Sequence, residues 1–312
     1  MTKKHQSDHP LKPGILLAIA SACLILIILI GRLFTEPLSA DQTSSIQQPC
    51  AGACLETPGS LEIIQTPKDK DLEQVCDEEK GSIEEKVVTF GDGGSMNVSI
   101  YLPPCYDPLA PQGYAVFYLL HGQGFTNQQW IQLGIAELAD RDIINGETDP
   151  TLIIFPEEKN NIQDPNSSDF AKTITDSLIP WVDQQYHTCT LRGCRLIAGI
   201  SRGAAWAMHI GLTHYELFAS IGAHSLTPFK SDWDSYADWL GKIPAQASPR
   251  IYIDVGNQDP YKYSASEFEQ LLIQYKMPHE WHPHPGGHNE AYWRENIQEY
   301  LKWYSQGLIN GT

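Results

Sequence analysis

Short apolar runs alternate with longer amphipathic segments over most of this chain. An apolar run of about four to eight residues that ends at a glycine, a proline or a polar turn is typical of a strand buried on both faces of a parallel sheet. Runs of this kind lie at 114–120, 151–156, 195–201, 218–225 and 250–259. The segments KVVTF and SMNVSIYLP flank a glycine-rich turn at 91–94 and predict an earlier hairpin.

The amphipathic segments between these runs have the spacing of helices that pack one face on a sheet. Helices are predicted at 127–144, 170–186, 204–214 and 289–308, and Pro180 is expected to kink the second of them. This alternation predicts an α/β protein with a doubly wound, mostly parallel sheet flanked by helices. Ligands bind such sheets at the carboxyl ends of the strands. Polar residues that directly follow a strand are therefore the first candidates for a functional site.

The N-terminal residues depart from this pattern. Residues 15–31 carry no charge, and a stretch of this length approaches the ~20 residues that span a bilayer. The predicted organisation is a cytoplasmic tail at 1–14, a transmembrane signal anchor at 15–34, a flexible linker at 35–71 and a hydrolase domain at 72–312. A cleaved signal peptide is the alternative for the apolar segment. Because lysines precede it, the domain is expected outside the cytoplasm, anchored to the membrane or secreted.

Charge and cysteine content narrow the partners and the compartment. The net charge is −17, and lysine and arginine do not cluster beyond the first dozen residues, so nucleic acid is not an expected partner. Six cysteines follow Cys23, and an even number in an exported chain predicts disulfides. Sequence alone does not choose among the possible pairings. The favoured set is Cys50 with Cys54, Cys76 with Cys105, and Cys189 with Cys194.

One strand ends in a motif that suits a nucleophile. The sequence G-I-S-R-G at 199–203 begins within the apolar run at 195–201 and precedes small helix-forming residues. Backbone atoms crowd at a sharp turn from strand to helix, so glycine fits on both sides of it. Ser201 at its apex is exposed like the serine of a nucleophile elbow.

Two later strand ends supply the partners that a serine nucleophile needs. Asp259 lies in the turn at 256–259 that ends the run at 250–259, and His288 lies on a glycine-rich loop ahead of the last helix. An imidazole takes the serine proton, and a carboxylate orients the imidazole and stabilises its cation. The chain order Ser, Asp, His is that of α/β-hydrolases. Asp254 is the alternative acid, but it falls inside the predicted strand.

A fourth segment, LLHGQGF at 119–125, predicts an oxyanion hole. Its flexible backbone can direct an N–H group at a developing oxyanion, together with the N–H of the residue after the nucleophile. We assign Gln123 and Arg202 as the donors, with Gly124 as the alternative in the loop. His121 is expected to anchor this loop.

The four segments YLLHGQG, AGISRGAAWAM, IDVGNQD and PGGHNEAYWRENIQEYLKWY together resemble the putative-esterase family of α/β-hydrolases. That family includes feruloyl esterases, S-formylglutathione hydrolases and mycolyltransferases. The resemblance implies Ser201 as nucleophile, Asp259 as acid, His288 as base, and no metal or organic cofactor. Relatives often have Met-Gly-Gly after the nucleophile, whereas this chain has Arg-Gly-Ala. The substrate analogy is therefore weaker than the analogy of the catalytic turn.

The expected function is an extracytoplasmic serine esterase that hydrolyses small-molecule or polysaccharide-linked carboxylic esters through an acyl-enzyme. Acyl transfer to a sugar or lipid alcohol by the same residues is one alternative, and a non-catalytic binding module on the same fold is another. Four histidines crowd the segment at 279–288 and could suggest zinc. No metal is predicted, because imidazoles alternating on an extended segment are expected to face opposite sides.

Overall fold

The computed structural model describes residues 77–91, 93–159 and 161–306. The predicted tail, anchor and linker all lie outside these residues, as do the pairing of Cys50 with Cys54 and the proposed partner of Cys105. Within the described ranges, no helix is both long enough and apolar enough to cross a bilayer.

An eight-stranded sheet forms the centre of the described chain. The strands are β1 (Ser82–Thr89), β2 (Ser95–Leu102), β3 (Ala115–Leu120), β4 (Thr151–Pro156), β5 (Arg195–Ile200), β6 (Ser220–His224), β7 (Arg250–Gly256) and β8 (His279–His284). Their order across the sheet is β1-β2-β4-β3-β5-β6-β7-β8. The β1–β2 and β2–β4 pairs are antiparallel, and all later pairs are parallel. The predicted doubly wound α/β class and the N-terminal hairpin are confirmed.

Helices flank both faces of the sheet. They are α1 (Gln129–Leu133), α2 (Ile135–Ile144), α3 (Phe170–Thr173), a π-helical turn (Ile174–Leu178), α4 (Ile179–Gln185), α5 (Arg202–Thr213), α6 (Trp233–Lys242), α7 (Lys262–Gln274) and α8 (Glu290–Ser305). Short 3₁₀ turns lie at Pro165–Ser167, Arg192–Cys194, Lys230–Asp232 and Ala245–Ala247. Helices α6 and α7 were not among the predicted elements.

Two predicted helices are interrupted. Gly134 adopts φ 100°, a left-handed conformation that ends α1 and begins α2, so the segment at 127–144 forms two helices. In the segment at 170–186, the helix is interrupted by the π-helical turn that ends at Leu178. Pro180 lies just beyond it, in the first turn of α4. Proline lacks the N–H that a helix interior needs, and the first turn is where this loss costs least.

Successive residues of the central strands bury side chains on opposite faces of the sheet. On β3, Tyr118 joins the core cluster that contains Trp206 of α5, whereas Phe117 joins the cluster that contains Tyr300 of α8. Burying such a side chain contributes about 1.5–3 kcal/mol. Packing on both faces fixes the positions of the strand ends on which a site can be built.

A disulfide joins Cys189 to Cys194 just ahead of β5, as predicted. Closing so short a loop stabilises the fold by roughly 2 kcal/mol in the chain-entropy description. The disulfide constrains the residues directly before β5, the strand that leads to Ser201.

Candidate functional site

Ser201 lies at a sharp turn between β5 and α5. Its backbone has φ 55° and ψ −114°, a strained conformation for a residue with a side chain. A Cβ atom at Gly199 would overlap the backbone of Gly203, and one at Gly203 would overlap the carbonyl of Leu120. The Ser201 N–H donates a 2.8 Å hydrogen bond to the His224 carbonyl at the end of β6. The two glycines therefore allow the turn, and β6 holds it.

The three predicted triad side chains lie in one line of hydrogen bonds. His288 Nε2 is 2.8 Å from Ser201 Oγ, and His288 Nδ1 is 2.8 Å from Asp259 Oδ2. Asp259 follows β7, and His288 lies on the loop between β8 and α8. Three separate strand ends thus bring together residues that are far apart along the chain.

Asp259 is held as a carboxylate by several donors. Burial by itself would raise its pKa, but hydrogen bonds from His288, the Tyr261 N–H and Ser225 together lower the pKa below its ordinary value. The Tyr261 N–H lies 2.8 Å from Asp259 Oδ1, opposite the oxygen that faces His288. An ionised carboxylate at this position can orient the imidazole and stabilise its protonated form.

Ser225 is a supporting residue that sequence reasoning missed. It directly follows β6, is fully buried and has φ 51°. Its Oγ accepts a 3.0 Å hydrogen bond from Trp293 Nε1, and its hydroxyl is among the groups that lower the pKa of Asp259. The Trp293 ring packs edge-to-face on His288 at 5.4 Å between centroids. Sequence offered no signal for this set, since Ser225 and Trp293 are distant in the chain.

The loop after β3 passes close to Ser201. A Cβ atom built on Gly122 would lie 3.6 Å from Ser201 Cβ. The Gly122 N–H donates to Gln129 Oε1 at 2.7 Å, and Gly124 has φ 82°. The Gln123 and Arg202 N–H groups donate no hydrogen bond to any described residue, and Arg202 is the first residue of α5, where N–H groups lack helical partners.

His121 fixes this loop from the interior. Its Nδ1 donates to the Gly122 carbonyl at 2.8 Å, and its Nε2 accepts from the Glu158 N–H at 2.9 Å. Burial lowers the pKa of His121, since a charged imidazole would lose its hydration. The neutral ring serves one donor and one acceptor, which agrees with the anchoring role expected for it.

The Arg202 side chain joins the turn to the segment after β4. It forms a two-pronged ion pair with Glu158, with Nε and Nη2 donating over 2.8 and 2.6 Å. Nη2 also donates to the Gln163 carbonyl. The guanidinium lies over the rings of Trp206 and Phe229, at 5.7 and 5.1 Å from their centroids. The chain thus has a fixed cation beside the nucleophile at a position where relatives often have methionine.

Asp254, the alternative acid, belongs to a different set of contacts. It is fully buried, and its Oδ1 lies 2.6 Å from His224 Nδ1. Its Oδ2 accepts hydrogen bonds from the hydroxyls of Tyr292 and Tyr300, at 2.6 and 2.7 Å. Asp254 therefore contacts neither His288 nor Ser201 in the described hydrogen bonds.

The expectation that the histidines of β8 face opposite sides is wrong for two of them. His282 and His284 are two residues apart, and side chains at that spacing share one face of a strand. Their rings are nearly parallel, at 13°, with centroids 6.1 Å apart. His279 is an odd number of residues away and lies on the other face of β8, and its Nδ1 donates to the Met277 carbonyl.

The family model described as "Esterase: Putative esterase" matches residues 92–304. Among curated relatives, Esterase Rv1288 of Mycobacterium tuberculosis (strain ATCC 25618 / H37Rv) is 25% identical over 251 residues, covering 64% of this chain and 54% of the relative. An Endo-1,4-beta-xylanase/feruloyl esterase of Xylanibacter ruminicola is 29% identical over 148 residues, covering 43% of this chain and 20% of the relative. The chain thus spans about half the length of the mycobacterial relative and a fifth of the length of the Xylanibacter relative.

Solved structures show the same fold at low identity. A ferulic acid esterase superposes with a TM-score of 0.64 at 19% identity, over 73% of this chain and 99% of its own. FphF, a fluorophosphonate-binding serine hydrolase of Staphylococcus aureus, superposes with a TM-score of 0.61 at 18% identity, over 72% and 98%. Both share the α/β-hydrolase architecture described above. From the extent of the family match, the chain belongs to the putative-esterase family of α/β-hydrolases.

Proposed function

We propose that this chain is a serine esterase that hydrolyses carboxylic esters through an acyl-enzyme. The observation that carries the proposal is the hydrogen-bonded line from Ser201 Oγ through His288 to Asp259 at the carboxyl edge of the sheet. Family membership supports the same reaction class.

Acylation follows from the positions of these groups. Ser201 Oγ attacks the ester carbonyl carbon while His288 Nε2 takes its proton. The negative charge that develops on the carbonyl oxygen is bound by the unpaired N–H groups of Gln123 and Arg202. The carbon–oxygen bond to the alcohol then breaks, and His288 returns the proton to the leaving alkoxide. Asp259 holds the ring and stabilises its cation throughout.

Deacylation repeats the chemistry with water. His288 takes a proton from a water molecule as its oxygen attacks the acyl carbon, and the bond to Ser201 Oγ breaks as that proton passes to the serine. The carboxylic acid leaves and the resting arrangement returns. An alcohol that replaced water at this step would give acyl transfer, which product analysis with added alcohol detects.

Aromatic acid esters are the first substrate class to test. Several structural neighbours are feruloyl esterases, one of them complexed with sinapinate. At the rim of this site, the Tyr261 ring lies 4.9 Å from the His288 ring and is 44% exposed. An exposed aromatic ring beside the base offers a flat surface to an aromatic acyl group or alcohol.

We further propose that the domain works outside the cytoplasm, held at the membrane by residues 15–34. The apolar run with preceding lysines and the Cys189–Cys194 disulfide support this placement. Protease accessibility in intact cells, compared with lysed cells, tests it.

Ser201→Ala tests the reaction. We expect turnover of p-nitrophenyl and feruloyl esters to fall by about 10⁶, together with loss of labelling by a fluorophosphonate probe. Ser305→Ala, at the C-terminal end of α8, is the matched control and should leave both unchanged. Hydrolysis by the Ser201→Ala protein at the parental rate would refute the proposal.

A further inference from the structure

Two imidazoles and a carboxylate converge at the edge of the sheet, outside the proposed triad. His282 and His284 project from one face of β8, and Glu299 projects from α8. One ligand atom from each of the three lies within 4.8 Å of the other two. We propose that they form a binding site for a divalent transition metal, with Zn²⁺ as the principal candidate.

The separations are close to those of a coordinated ion. His282 Nδ1 lies 3.5 Å from Glu299 Oε1, and His284 Nε2 lies 3.7 Å from Glu299 Oε2. Around a tetrahedral zinc with bonds of about 2.0–2.2 Å, neighbouring ligand atoms are roughly 3.4 Å apart. The third separation, between the two imidazole nitrogens, is no more than 4.8 Å, so the ligand atoms must move closer together when an ion binds.

The donor set selects the class of ion. Two imidazole nitrogens and one carboxylate oxygen suit Zn²⁺, Cu²⁺ or Ni²⁺, whereas Mg²⁺ and Ca²⁺ prefer oxygen ligands alone. Three protein ligands would leave a fourth tetrahedral position for water. The site differs from the proposed catalytic machinery, which uses His288 and none of these three residues.

The surroundings hold the candidate ligands in place. The Tyr252 hydroxyl donates to Glu299 Oε1 at 2.8 Å, and its ring stacks on His282 at 4.4 Å. The other ring nitrogen of His282, Nε2, lies 3.4 Å from Glu280 Oε2. Metal-bound histidines commonly donate their second N–H to such a carboxylate. Glu280 in turn accepts from Trp303 Nε1 at 2.7 Å.

His284 provides an independent sign of a missing partner. Its Nε2 is buried, yet it makes no hydrogen bond, and Glu299 Oε2 at 3.7 Å is beyond hydrogen-bond distance. Buried polar atoms in folded proteins are nearly always paired, so an unpaired nitrogen aimed at a carboxylate calls for a ligand between them. A metal ion satisfies both groups.

The position of the site indicates a bracing role. His282 and His284 precede the 285–289 loop and Glu299 follows it, while that loop carries His288. An ion bound to β8 and α8 would tie together the two elements between which His288 is held. Metal binding should therefore stabilise the fold without entering the reaction.

Equilibrium dialysis of the full chain against Zn²⁺, after chelator treatment, tests the site. We expect the parent to bind one more zinc than His284→Ala or Glu299→Gln does, with affinity at this site reduced more than about 100-fold in either variant. His279→Ala, on the other face of β8, is the matched control and should keep the site. Mg²⁺ at the same concentration should not compete.

Thermal unfolding provides a second readout. Zn²⁺ should raise the Tm of the parent and of His279→Ala, and raise it much less in His284→Ala, with circular dichroism in chelator showing that each variant is folded. Equal zinc binding by the parent and His284→Ala, or equal loss in His279→Ala, would overturn the proposal. None of these outcomes depends on whether the chain hydrolyses esters.

Discussion

Two histidine–aspartate pairs lie at neighbouring strand ends, and they differ in what faces the second ring nitrogen. His288 pairs with Asp259 at 2.8 Å, and His224 pairs with Asp254 at 2.6 Å. The Nε2 of His288 faces Ser201 at a partly exposed rim, whereas that of His224 faces the Tyr304 hydroxyl in the interior. The same pair of residue types can therefore support chemistry or architecture, and access to a nucleophile and to solvent separates the two uses.

Packing strengthens this contrast. The His224 ring stacks on Tyr300 at 3.6 Å between centroids. The hydroxyls of Tyr292 and Tyr300 both donate hydrogen bonds to Asp254 Oδ2, the oxygen that does not face His224. Burial raises the pKa of Tyr300 well above its ordinary value, so this hydroxyl stays a donor at all physiological pH values. The internal pair has no space for a substrate.

Among changes to the two histidine–aspartate pairs, the largest effect is expected from Asp259→Asn. Loss of the carboxylate removes the group that orients His288 and stabilises its cation, so kcat/KM should fall by about 10⁴. Ester hydrolysis measured alongside denaturant unfolding separates this loss from misfolding. A variant within tenfold of the parent would remove Asp259 from the mechanism.

Asp254→Asn should act on stability instead. Breaking a buried, hydrogen-bonded pair costs about 3–5 kcal/mol of the free energy of unfolding. The folded fraction should keep kcat/KM within about tenfold of the parent, because Asp254 does not contact His288. Urea titration monitored by fluorescence measures the first quantity. A larger activity loss here than in Asp259→Asn would reverse the roles assigned to the two pairs.

Ser225→Ala tests a residue that follows His224 of one pair and acts on Asp259 of the other. It removes a hydroxyl that helps to lower the pKa of Asp259 and leaves Trp293 Nε1 without its acceptor. Hydrogen bonds to charged groups contribute about 1.5–3 kcal/mol, so kcat should fall roughly 10- to 100-fold. Ser225→Cys keeps a donor without placing a β-branched side chain at φ 51°, and it should recover part of the loss. A purely structural role would lower stability and leave kcat unchanged.

The smallest effect concerns His121, which is buried like His224. Its pKa is lowered in the folded chain, so the unfolded chain binds more protons as the pH falls below the ordinary histidine value of about 6.5. This residue therefore reduces the free energy of unfolding as the pH falls below that value, and has no such effect above it. His121→Asn should flatten the loss between about pH 7.5 and pH 5.5. An unchanged slope would contradict this prediction.

Local sequence signals predicted the sheet and the candidate site residues. Buried strand runs and the glycines around Ser201 depend on short-range geometry, and the strand-end rule pointed to Asp259 and His288. The structure brings these three side chains together, while their catalytic roles stay predictions. Helices α6 and α7 were not predicted, although Trp233, Tyr236 and Leu240 of α6 recur at the spacing of an amphipathic helix.

Contacts between distant elements could not be predicted in the same way. The support of Asp259 by Ser225 and Trp293 needs the end of β6 and α8 to be adjacent, which no local pattern encodes. The expectation that His282 and His284 face opposite sides was wrong, because residues two apart on a strand share a face. Asp254 was correctly separated from the loop acid by its place within a strand, although its pairing with His224 was not expected.

The hydrogen bond from the Ser201 N–H to the His224 carbonyl has a consequence for redesign of this domain. His224 and Ser225 are consecutive, and between them they secure the turn of Ser201 and the side chain of Asp259. A one-residue shift of register in β6 would turn the His224 carbonyl away from Ser201 and move the Ser225 side chain to the other face of the sheet. Loop grafting to alter substrate preference should therefore begin after residue 225, where changes of length leave both attachments intact.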